Sequence, residues 1–446
     1  MKTVAMVLAG VVLGLLQAVT TSVECLADEP AMVRTVEGIS EYRLENGLQV
    51  LLFPDSSSPK VTVNLTIFAG SRHEGYGEAG MAHLLEHMVF KGTARRSAHE
   101  IAGALESLGG SLDAYTAREH TAFQARVLDE HLMQAADVMA DVMFRPALRS
   151  EDLALERKVV LEEIAMVDDT PDDLVFELHN EALWGAHPYG YSILGTRETV
   201  GAIGIDALRR LHARAYQPGQ MVVAASGNLS HEALLGALGA TGWGEVPAGA
   251  AEAPVAPTPI TAPPSERRVQ REGSQVHVVF GSATVPHADP RRHTLVLINT
   301  LLGGGMSSRL FQRVREELGL AYSVYTFQSF HVDSGTHGVY LGTSPVNAEL
   351  AIEAVRGELA RLVRDGIPDP EIAMGKQQVK GQITLAMEGV SSRMYRAAAV
   401  ELFGEPYAGL DDVLAKIDAI TPEDVAVCCA AFFAPEQQTL VSLGPT

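Results

Sequence analysis

The sequence predicts an α+β fold made of two homologous α/β-layered halves. Strand signals occur as hairpins and meanders beside uninterrupted helical runs, which favours α+β layers over a doubly wound parallel sheet. An Ala- and Pro-rich stretch without periodicity, residues 245–267, reads as a linker. Several segments before this linker recur after it in the same order. We therefore predict a duplicated domain of roughly 200 residues.

The recurrence rests on matches at nearly one offset. Leu105–Thr116 lies over Arg315–Thr326 at an offset of 210, and Glu156–Ile164 lies over Gly375–Ile383 at an offset of 219. Weaker matches pair Trp184 with Phe403 (offset 219), and Tyr216 and Pro218 with Phe433 and Pro435 (offset 217). Only their common order makes them persuasive. The predicted domains are a first half over 28–244, the linker over 245–267 and a second half over 268–446.

The N-terminus has the order of a secretory signal peptide. Lys2 precedes an uncharged, largely apolar stretch, and small residues lead to a cut after Ala27. This predicts a signal peptide over 1–27 and a secreted protein, periplasmic in a Gram-negative bacterium. An uncleaved membrane anchor is the alternative, while Glu24 before Cys25 fits a lipid-modified cysteine poorly. The remaining cysteines, Cys428 and Cys429, are adjacent and predict no disulfide framework.

The net charge of the chain indicates which kinds of molecule it can bind. The chain has 34 basic and 55 acidic residues, a formal net charge of −21. Such a surface repels a phosphate backbone at long range, so nucleic acid is excluded as a partner and a basic peptide is favoured. The alternative is that the acidic surface serves solubility alone.

Turn and cap signals define the first elements. Asn46-Gly47 between apolar runs predicts a hairpin. Alternation over Val61–Ile67 predicts a half-buried strand. Ser97 and Glu100 form a capping box for a helix that ends at Gly109.

Later elements follow from the same rules. A longer helix begins at Ser150 and passes through Glu163. In the second half, Val276, Val278 and Phe280 alternate as a strand.

The residues Gly80–Phe90 read GMAHLLEHMVF and suggest a metal site. On a helix, His83 and His87 lie one turn apart on one face and can hold one ion, with Glu86 beside them. A zinc ion lowers the pKa of bound water, and a neighbouring carboxylate can take its proton. The order His-x-x-Glu-His is the inverzincin motif. The alternative is a pair of solvated helix histidines.

A third ligand is expected from another helix. Glu156 and Glu163 are two helical turns apart and share a face with Val159 and Val160. One carboxylate can bind the ion while the other orients a ligand histidine. Spacing alone does not distinguish this arrangement from an ordinary charged helix face.

Together these segments resemble a known family. The Asn-Gly hairpin after Tyr42, GSRHE from Gly70, GMAHLLEHMVFKGT from Gly80, ERKVVLEEI from Glu156 and GMSSRLFQRVREELGLAYSV from Gly305 resemble the pitrilysin-type (M16) zinc peptidases. The chain is most similar to the half-length bacterial members related to the mitochondrial processing peptidase subunits. The resemblance runs from about Tyr42 to Gly444 and implies a duplicated LuxS/metallohydrolase-like fold that closes as a clamshell about the linker.

The resemblance also implies roles. His83, His87 and Glu163 are the implied ligands of one Zn²⁺ per chain, with Glu86 as general base and Glu156 as the carboxylate that orients a ligand. Arg315 and Tyr322 are implied to reach over the metal site, bind substrate and stabilise the tetrahedral intermediate; from the residues alone, Arg315 reads as helix surface and Tyr322 as core. Asp113 and Ala114 are implied to lie on an edge strand that pairs with the substrate backbone, although the family commonly has Asn at Asp113.

The duplication indicates that the second half lacks the metal site. Glu163 and Glu156 fall on Gln382 and Gly375 at an offset of 219, and Glu86 and His87 fall on Val296 and Leu297 at an offset of 210. Gly303–Gly305 lacks the Lys of a phosphate-binding loop and reads as a substrate-contact loop.

The predicted function is a zinc-dependent endopeptidase that hydrolyses peptides or unfolded segments in an enclosed chamber. The resemblance also implies a homodimer. The alternative is a non-catalytic scaffold or the partner subunit of a homologous complex.

Overall fold

The computed structural model describes residues 30–75, 77–249, 261–405 and 407–445. The predicted signal peptide and the central part of the predicted linker, residues 250–260, lie outside the described residues. The strands are β1 (Met32–Val36), β2 (Ile39–Arg43), β3 (Gln49–Pro54), β4 (Lys60–Ile67), β5 (Ser111–Thr116), β6 (Thr121–Leu128), β7 (Met221–Gly227), β8 (Glu266–Gln270), β9 (Val276–Thr284), β10 (Ala321–Phe330), β11 (Gly335–Thr343) and β12 (Thr439–Gly444).

Helices connect and cover these strands. They are α1 (Met81–Val89), α2 (Ala98–Glu106), α3 (Leu132–Phe144), α4 (Ser150–Asp168), α5 (Pro171–Trp184), α6 (Arg197–Ala202), α7 (Ile205–Ala215), α8 (His231–Ala240), α9 (Arg292–Gly303), α10 (Ala348–Asp365), α11 (Asp369–Ala386), α12 (Val390–Leu402), α13 (Leu410–Asp418) and α14 (Pro422–Phe432). A π-helical segment spans Phe311–Glu317. In the described part of the chain, no helix is both long and apolar enough to cross a membrane.

The described strands form two sheets, which confirms the α+β class. The first has the order β1-β2-β3-β7-β4-β6-β5, and the second has the order β10-β11-β9-β12-β8. Read in reverse, the second sheet repeats the last five strands of the first. In each five-stranded repeat the first strand pairs in parallel with the next, β3 with β7 and β8 with β12, and the other pairs are antiparallel. In the first sheet β1 and β2 extend the repeat beyond β3.

The repeat seen in the sequence matches the elements closely. Adding 219 to the bounds of α4 gives 369–387, where α11 lies, and the same offset places α5 on α12. The offset of 210 places the start of β5 on the start of β10. The second sheet begins at Glu266, so β8 takes up the last two residues of the interval predicted as linker.

Local signals of the first half act as expected. Ser97 accepts a hydrogen bond from the Glu100 amide, and the Glu100 carboxylate accepts from the Ser97 amide at 2.8 Å, which closes the capping box of α2. Gly47 has φ +87° in the β2–β3 hairpin. The Asn46 side chain donates to the Trp243 carbonyl at 2.8 Å, so this turn is also fixed from outside the hairpin.

The prediction that β4 is half-buried is wrong. Thr62, Asn64 and Thr66, which alternate with the apolar residues, are buried too. They face a second layer of structure rather than solvent, since β4 is a central strand and the other face of its sheet is covered by α12 from the second half.

The two halves exchange equivalent helices. Met394, Ala397 and Ala398 of α12 pack on Leu51 and Val222 of the first sheet. Reciprocally, Val175 of α5 packs against Val279, Tyr340, Val441 and Leu443 of the second sheet. Closure of the two halves as a clamshell stays a prediction. The exchanged helices join the halves, so a closing motion would act on this packing.

A buried polar cluster also joins the halves. Arg72 of the first half donates through Nε to Asp333 at 2.8 Å. Glu119 accepts from the Tyr189 hydroxyl at 2.7 Å and from the Val332 amide at 2.9 Å. Because Arg72, Glu119 and Tyr189 are buried, loss of their partners would be costly, so the cluster stabilises the relative position of the halves.

Candidate metal centre

Helix α1 carries the metal motif and is positioned at its N-terminus by a buried carboxylate. Glu74 accepts from the amides of Gly80 at 3.0 Å and Ala82 at 2.6 Å. Burial raises the pKa of Glu74 to about 8, against the opposing effect of these amides. Gly80 has φ +90°, and a Cβ there would lie 2.5 Å from the Leu194 carbonyl oxygen. Glycine is therefore required where the chain enters α1.

The two histidines and Glu163 converge as predicted. The imidazole rings of His83 and His87 are 4.7 Å apart between centroids. Each Nε2 lies 3.7 Å from Glu163 Oε2. One donor atom from each residue fits within 4.8 Å of the others, the only such His, Cys or carboxylate group found in the described residues. Burial, together with the nearby His87, lowers the pKa of His83 to about 4, so this imidazole is neutral and can act as a ligand near pH 7.

Glu156 holds the second histidine. Its Oε2 lies 3.1 Å from His87 Nδ1, and its Oε1 lies 2.5 Å from Lys91 Nζ. A proton on His87 Nδ1 directed at Glu156 leaves the Nε2 lone pair facing Glu163. The structure thus assigns different positions to the two carboxylates that spacing alone left undistinguished.

Glu86 lies beside the triad in a buried environment. Its Oε2 accepts from the Thr116 hydroxyl at 2.6 Å. Burial raises the pKa of Glu86, and the Thr116 hydrogen bond and His87 oppose this shift. A carboxylate with a raised pKa is better matched to a proton transfer near neutral pH.

Thr116 ends β5, the edge strand of the first sheet. Among the described strands, β6 alone pairs with β5, so one edge of β5 is unpaired. Asp113 and Ala114 lie on this strand opposite Gln124 and Phe123. Their predicted alignment of a substrate strand stays a prediction, and the structure places them on the strand that reaches Glu86.

Arg315 and Tyr322 lie together in the second half. The Arg315 guanidinium is 4.7 Å from the ring centroids of both Phe311 and Tyr322. Tyr322 is 75% exposed, so its reading as a core residue is wrong. It sits where the β10–β11 register shifts between Ala321 and Ser323, and such a bulge redirects a side chain. No contact found among the described residues links this pair to the metal triad.

Three groups that support the site were not predicted from the sequence. Glu74 precedes α1 by more than a turn, so no capping pattern reveals it. Thr116 ends the repeated segment Leu105–Thr116 and Lys91 follows the histidine motif, but only the fold shows that they contact Glu86 and Glu156. The available signal was the family resemblance, since Glu74 and Lys91 both lie in segments that carry it.

Two family models match consecutive parts of the chain. Residues 49–197 match the model described as insulinase (peptidase family M16), and residues 202–379 match the peptidase M16 inactive domain. The first match contains the triad, and the second begins inside the first half, before α7, and extends into α11 of the second half.

Whole-chain relatives agree. The chain is 36% identical over 411 residues to a protein named an uncharacterized zinc protease of Bacillus subtilis (strain 168), covering 92% of this chain and 98% of that protein. It is 38% identical over 390 residues to one so named in Mycobacterium leprae (strain TN), covering 87% and 88%.

Solved structures share the fold. A structure described as a peptidase M16 inactive domain from Pseudomonas fluorescens has a TM-score of 0.84 at 24% identity, covering 92% of this chain and 98% of that one. A protease from Helicobacter pylori has a TM-score of 0.83 at 22% identity, covering 91% and 99%.

Proposed function

Because this chain belongs to the insulinase family of peptidases (M16), we propose that it is a zinc-dependent endopeptidase that hydrolyses peptides or unfolded protein segments. The observation that carries the proposal is the convergence of His83, His87 and Glu163 beside the buried carboxylate of Glu86. A family of zinc proteases supplies the reaction class, and these four residues supply the groups that it needs.

The donor set fits a zinc ion. Bonds of about 2.0–2.2 Å in tetrahedral directions place two ligand atoms roughly 3.4 Å apart. The 3.7 Å between Glu163 Oε2 and each histidine Nε2 is close to this spacing and is longer than a hydrogen bond. Three protein ligands also leave a position open for water or substrate, as in catalytic zinc sites. When bound, zinc would supply Lewis acidity that polarises a peptide carbonyl and makes water more acidic.

The chain's own groups then perform the proton transfers. Glu86 takes a proton from the attacking water and passes it to the leaving amine, so one carboxylate acts as base and then as acid. Thr116 fixes the orientation of Glu86 through its hydroxyl. Glu156 fixes the ring of His87 through Nδ1.

The finer parts of the proposal concern substrate handling. Arg315 and Tyr322 offer a guanidinium and a hydroxyl that can bind a peptide carbonyl or stabilise its oxyanion. The edge strand with Asp113 and Ala114 can add a substrate strand. We propose that both act in an enclosed chamber, in a homodimer. A net charge of −21 supports a preference for basic peptides, which low salt should strengthen.

The cellular location is proposed from the N-terminal sequence alone. Lys2, the apolar stretch and the small residues before Ala27 support cleavage of a signal peptide and export to the periplasm.

Digestion of a mixed peptide library by the mature zinc-loaded protein tests the function, with Glu86→Gln as its control. We expect internal cleavage by the parent and about 10³-fold slower cleavage by the variant, since positioned acid–base groups typically contribute factors of this order. Zinc content and the unfolding midpoint should match between the two. An inert parent that is folded and holds zinc would contradict the proposal and favour the scaffold or partner-subunit alternative.

A further inference from the structure

One face of helix α4 carries exposed apolar side chains in line with a metal ligand. Leu155, Val159 and Glu163 are spaced by four residues, and Met166 follows three residues later, so the four side chains are neighbours along one row of the helix. Leu155 is 61% exposed, Val159 44% and Met166 69%. We call Leu155, Val159 and Met166 the apolar row.

The equivalent row in the second half is interrupted. At the offset of 219, the row falls on Met374, Gln378 and Leu385 of α11, and Glu163 falls on Gln382. Met374 and Leu385 are exposed, but two glutamines separate them. The helix that contributes to the metal site therefore has apolar side chains directly before and after its ligand Glu163 along this row, whereas the repeated helix has Gln378 in place of Val159.

We propose that the apolar row binds substrate, and that the enzyme prefers extended peptides with bulky apolar side chains beside the bond that is cut. This inference rests on the proposed peptidase function. Val159 and Met166 are the helix neighbours of Glu163 on either side, so a molecule that covers them lies against the metal site. Exposed apolar surface of this kind marks a binding site when it adjoins a functional centre.

The same geometry argues against a second copy as the occupant. The Glu163 side chain is 34% exposed and lies within the row. A protein surface packed on Leu155, Val159 and Met166 would also cover Glu163 and block the open side of the triad. A peptide can occupy both places together because its backbone meets the metal site while its side chains meet the row.

Peptide binding should therefore have an electrostatic and an apolar contribution, which respond differently to salt. The acidic surface acts at long range and weakens with salt. Contact with the apolar row is short-range and nearly independent of salt. A peptide that combines basic ends with apolar residues at its centre should therefore bind best.

Binding to the zinc-loaded Glu86→Gln protein tests the row without relying on turnover. The probes are two fluorescein-labelled nine-residue peptides that differ only in the two central residues, Leu-Leu or Ser-Ser, read by anisotropy. On this background, Leu155→Gln, Val159→Gln and Met166→Gln are combined. Gln378 shows that the repeated helix accepts glutamine at this place. Met374→Gln with Leu385→Gln is the matched control.

We expect the triple variant to raise the Kd of the Leu-Leu peptide about tenfold, the scale of losing modest apolar contacts, and to leave that of the Ser-Ser peptide unchanged. The control pair should change neither. Equal Kd values for both peptides, or no effect of the triple variant, would overturn the inference. So would a changed sedimentation coefficient with unchanged peptide binding, which would make the row a contact between copies. Hydrolysis by the parent protein is measured separately, so failure of the peptidase proposal remains distinguishable.

Discussion

The two halves contain an equivalent pair of helices, α1 with α4 and α9 with α11, but different side chains lie between them. In the first half, His87 of α1 lies 3.1 Å from Glu156 of α4. Their equivalents in the second half are Leu297 and Gly375, and a Cβ on Gly375 would lie 2.8 Å from Leu297 Cδ1. A leucine thus packs on a glycine where the first half has a polar pair. The fold does not require the metal residues, and their presence in one half indicates function rather than architecture.

The second half has its own departure from the repeat. Leu105, buried in α2, has Arg315 as its equivalent at the offset of 210, and Arg315 lies in a π-helical segment. Such segments are rare and often occur at functional sites. The same offset places exposed Tyr322 on Leu112 of β5. The second half therefore has no equivalent of the metal residues and has instead a cationic and aromatic pair that the first half lacks.

The largest effect is expected when two residues of the first half are replaced by their equivalents from the second half. We expect His87→Leu with Glu156→Gly to abolish stoichiometric zinc binding and activity while the chain still folds, because Leu297 and Gly375 show that this pair packs. Metal analysis and circular dichroism would check both results. Full zinc occupancy in the double variant would show that His87 is not a ligand.

The reverse change tests the second half. Gly375→Glu should destabilise the protein by about 3–5 kcal/mol, because a carboxylate would be buried against Leu297 and Leu301 without a partner. Denaturant unfolding measures this loss. Gly381→Glu on the same helix is the control, since its Cβ would meet nothing within 4 Å. Equal stability of the two variants would show that the second half still tolerates a buried carboxylate at the repeated position.

A smaller effect is expected when only the support of His87 is removed. Glu156→Gln should weaken zinc binding about 10- to 100-fold, the usual consequence of losing a carboxylate that orients a ligand histidine. Competition with a chelating dye measures the affinity. Glu162→Gln, on the exposed side of the same helix, should bind zinc as the parent does. If both variants match the parent, Glu156 only pairs with Lys91.

The smallest effect concerns Thr116. The Thr116 hydrogen bond lowers the pKa of Glu86, so Thr116→Val should raise that pKa. The base is active when ionised, and the fall of kcat/KM on the acid side should therefore begin at higher pH, with a loss of at most about tenfold below neutrality. Thr116→Ser keeps the hydroxyl and should retain the parent profile. An unchanged profile for Thr116→Val would exclude Glu86 as the titrating base.

Local chemistry explains what the sequence could predict. The Ser97–Glu100 capping box, the Asn46-Gly47 turn and the helix through Glu163 depend on near neighbours, and all three were recognised. The repeat was recognised because similar side chains recur in order. The metal triad could be predicted only from the family resemblance, because Glu163 follows His87 by 76 positions and local rules do not predict a contact over that distance.

Long-range packing explains what was missed. Thr62, Asn64 and Thr66 alternate like a solvent-facing row, but α12 from the other half covers that sheet. The sequence around β4 gives no indication that a helix more than 300 residues later covers this strand. Tyr322 resembles a core residue in an apolar strand, yet its place at a bulge exposes it.

The helix exchange also affects how the chain can fold while it is being synthesised. The first sheet is complete once Gly227 has been synthesised, but the helix that covers Leu51 and Val222 ends at Leu402, 175 residues later (402 − 227). At about 5–20 residues per second, this interval is roughly 9–35 s. The apolar side chains on this face of the sheet, among them Leu51 and Val222, stay uncovered throughout it, and exposed apolar surface of an incomplete domain favours aggregation. We expect the first half to be insoluble when produced alone and to be recovered when the second half is produced with it.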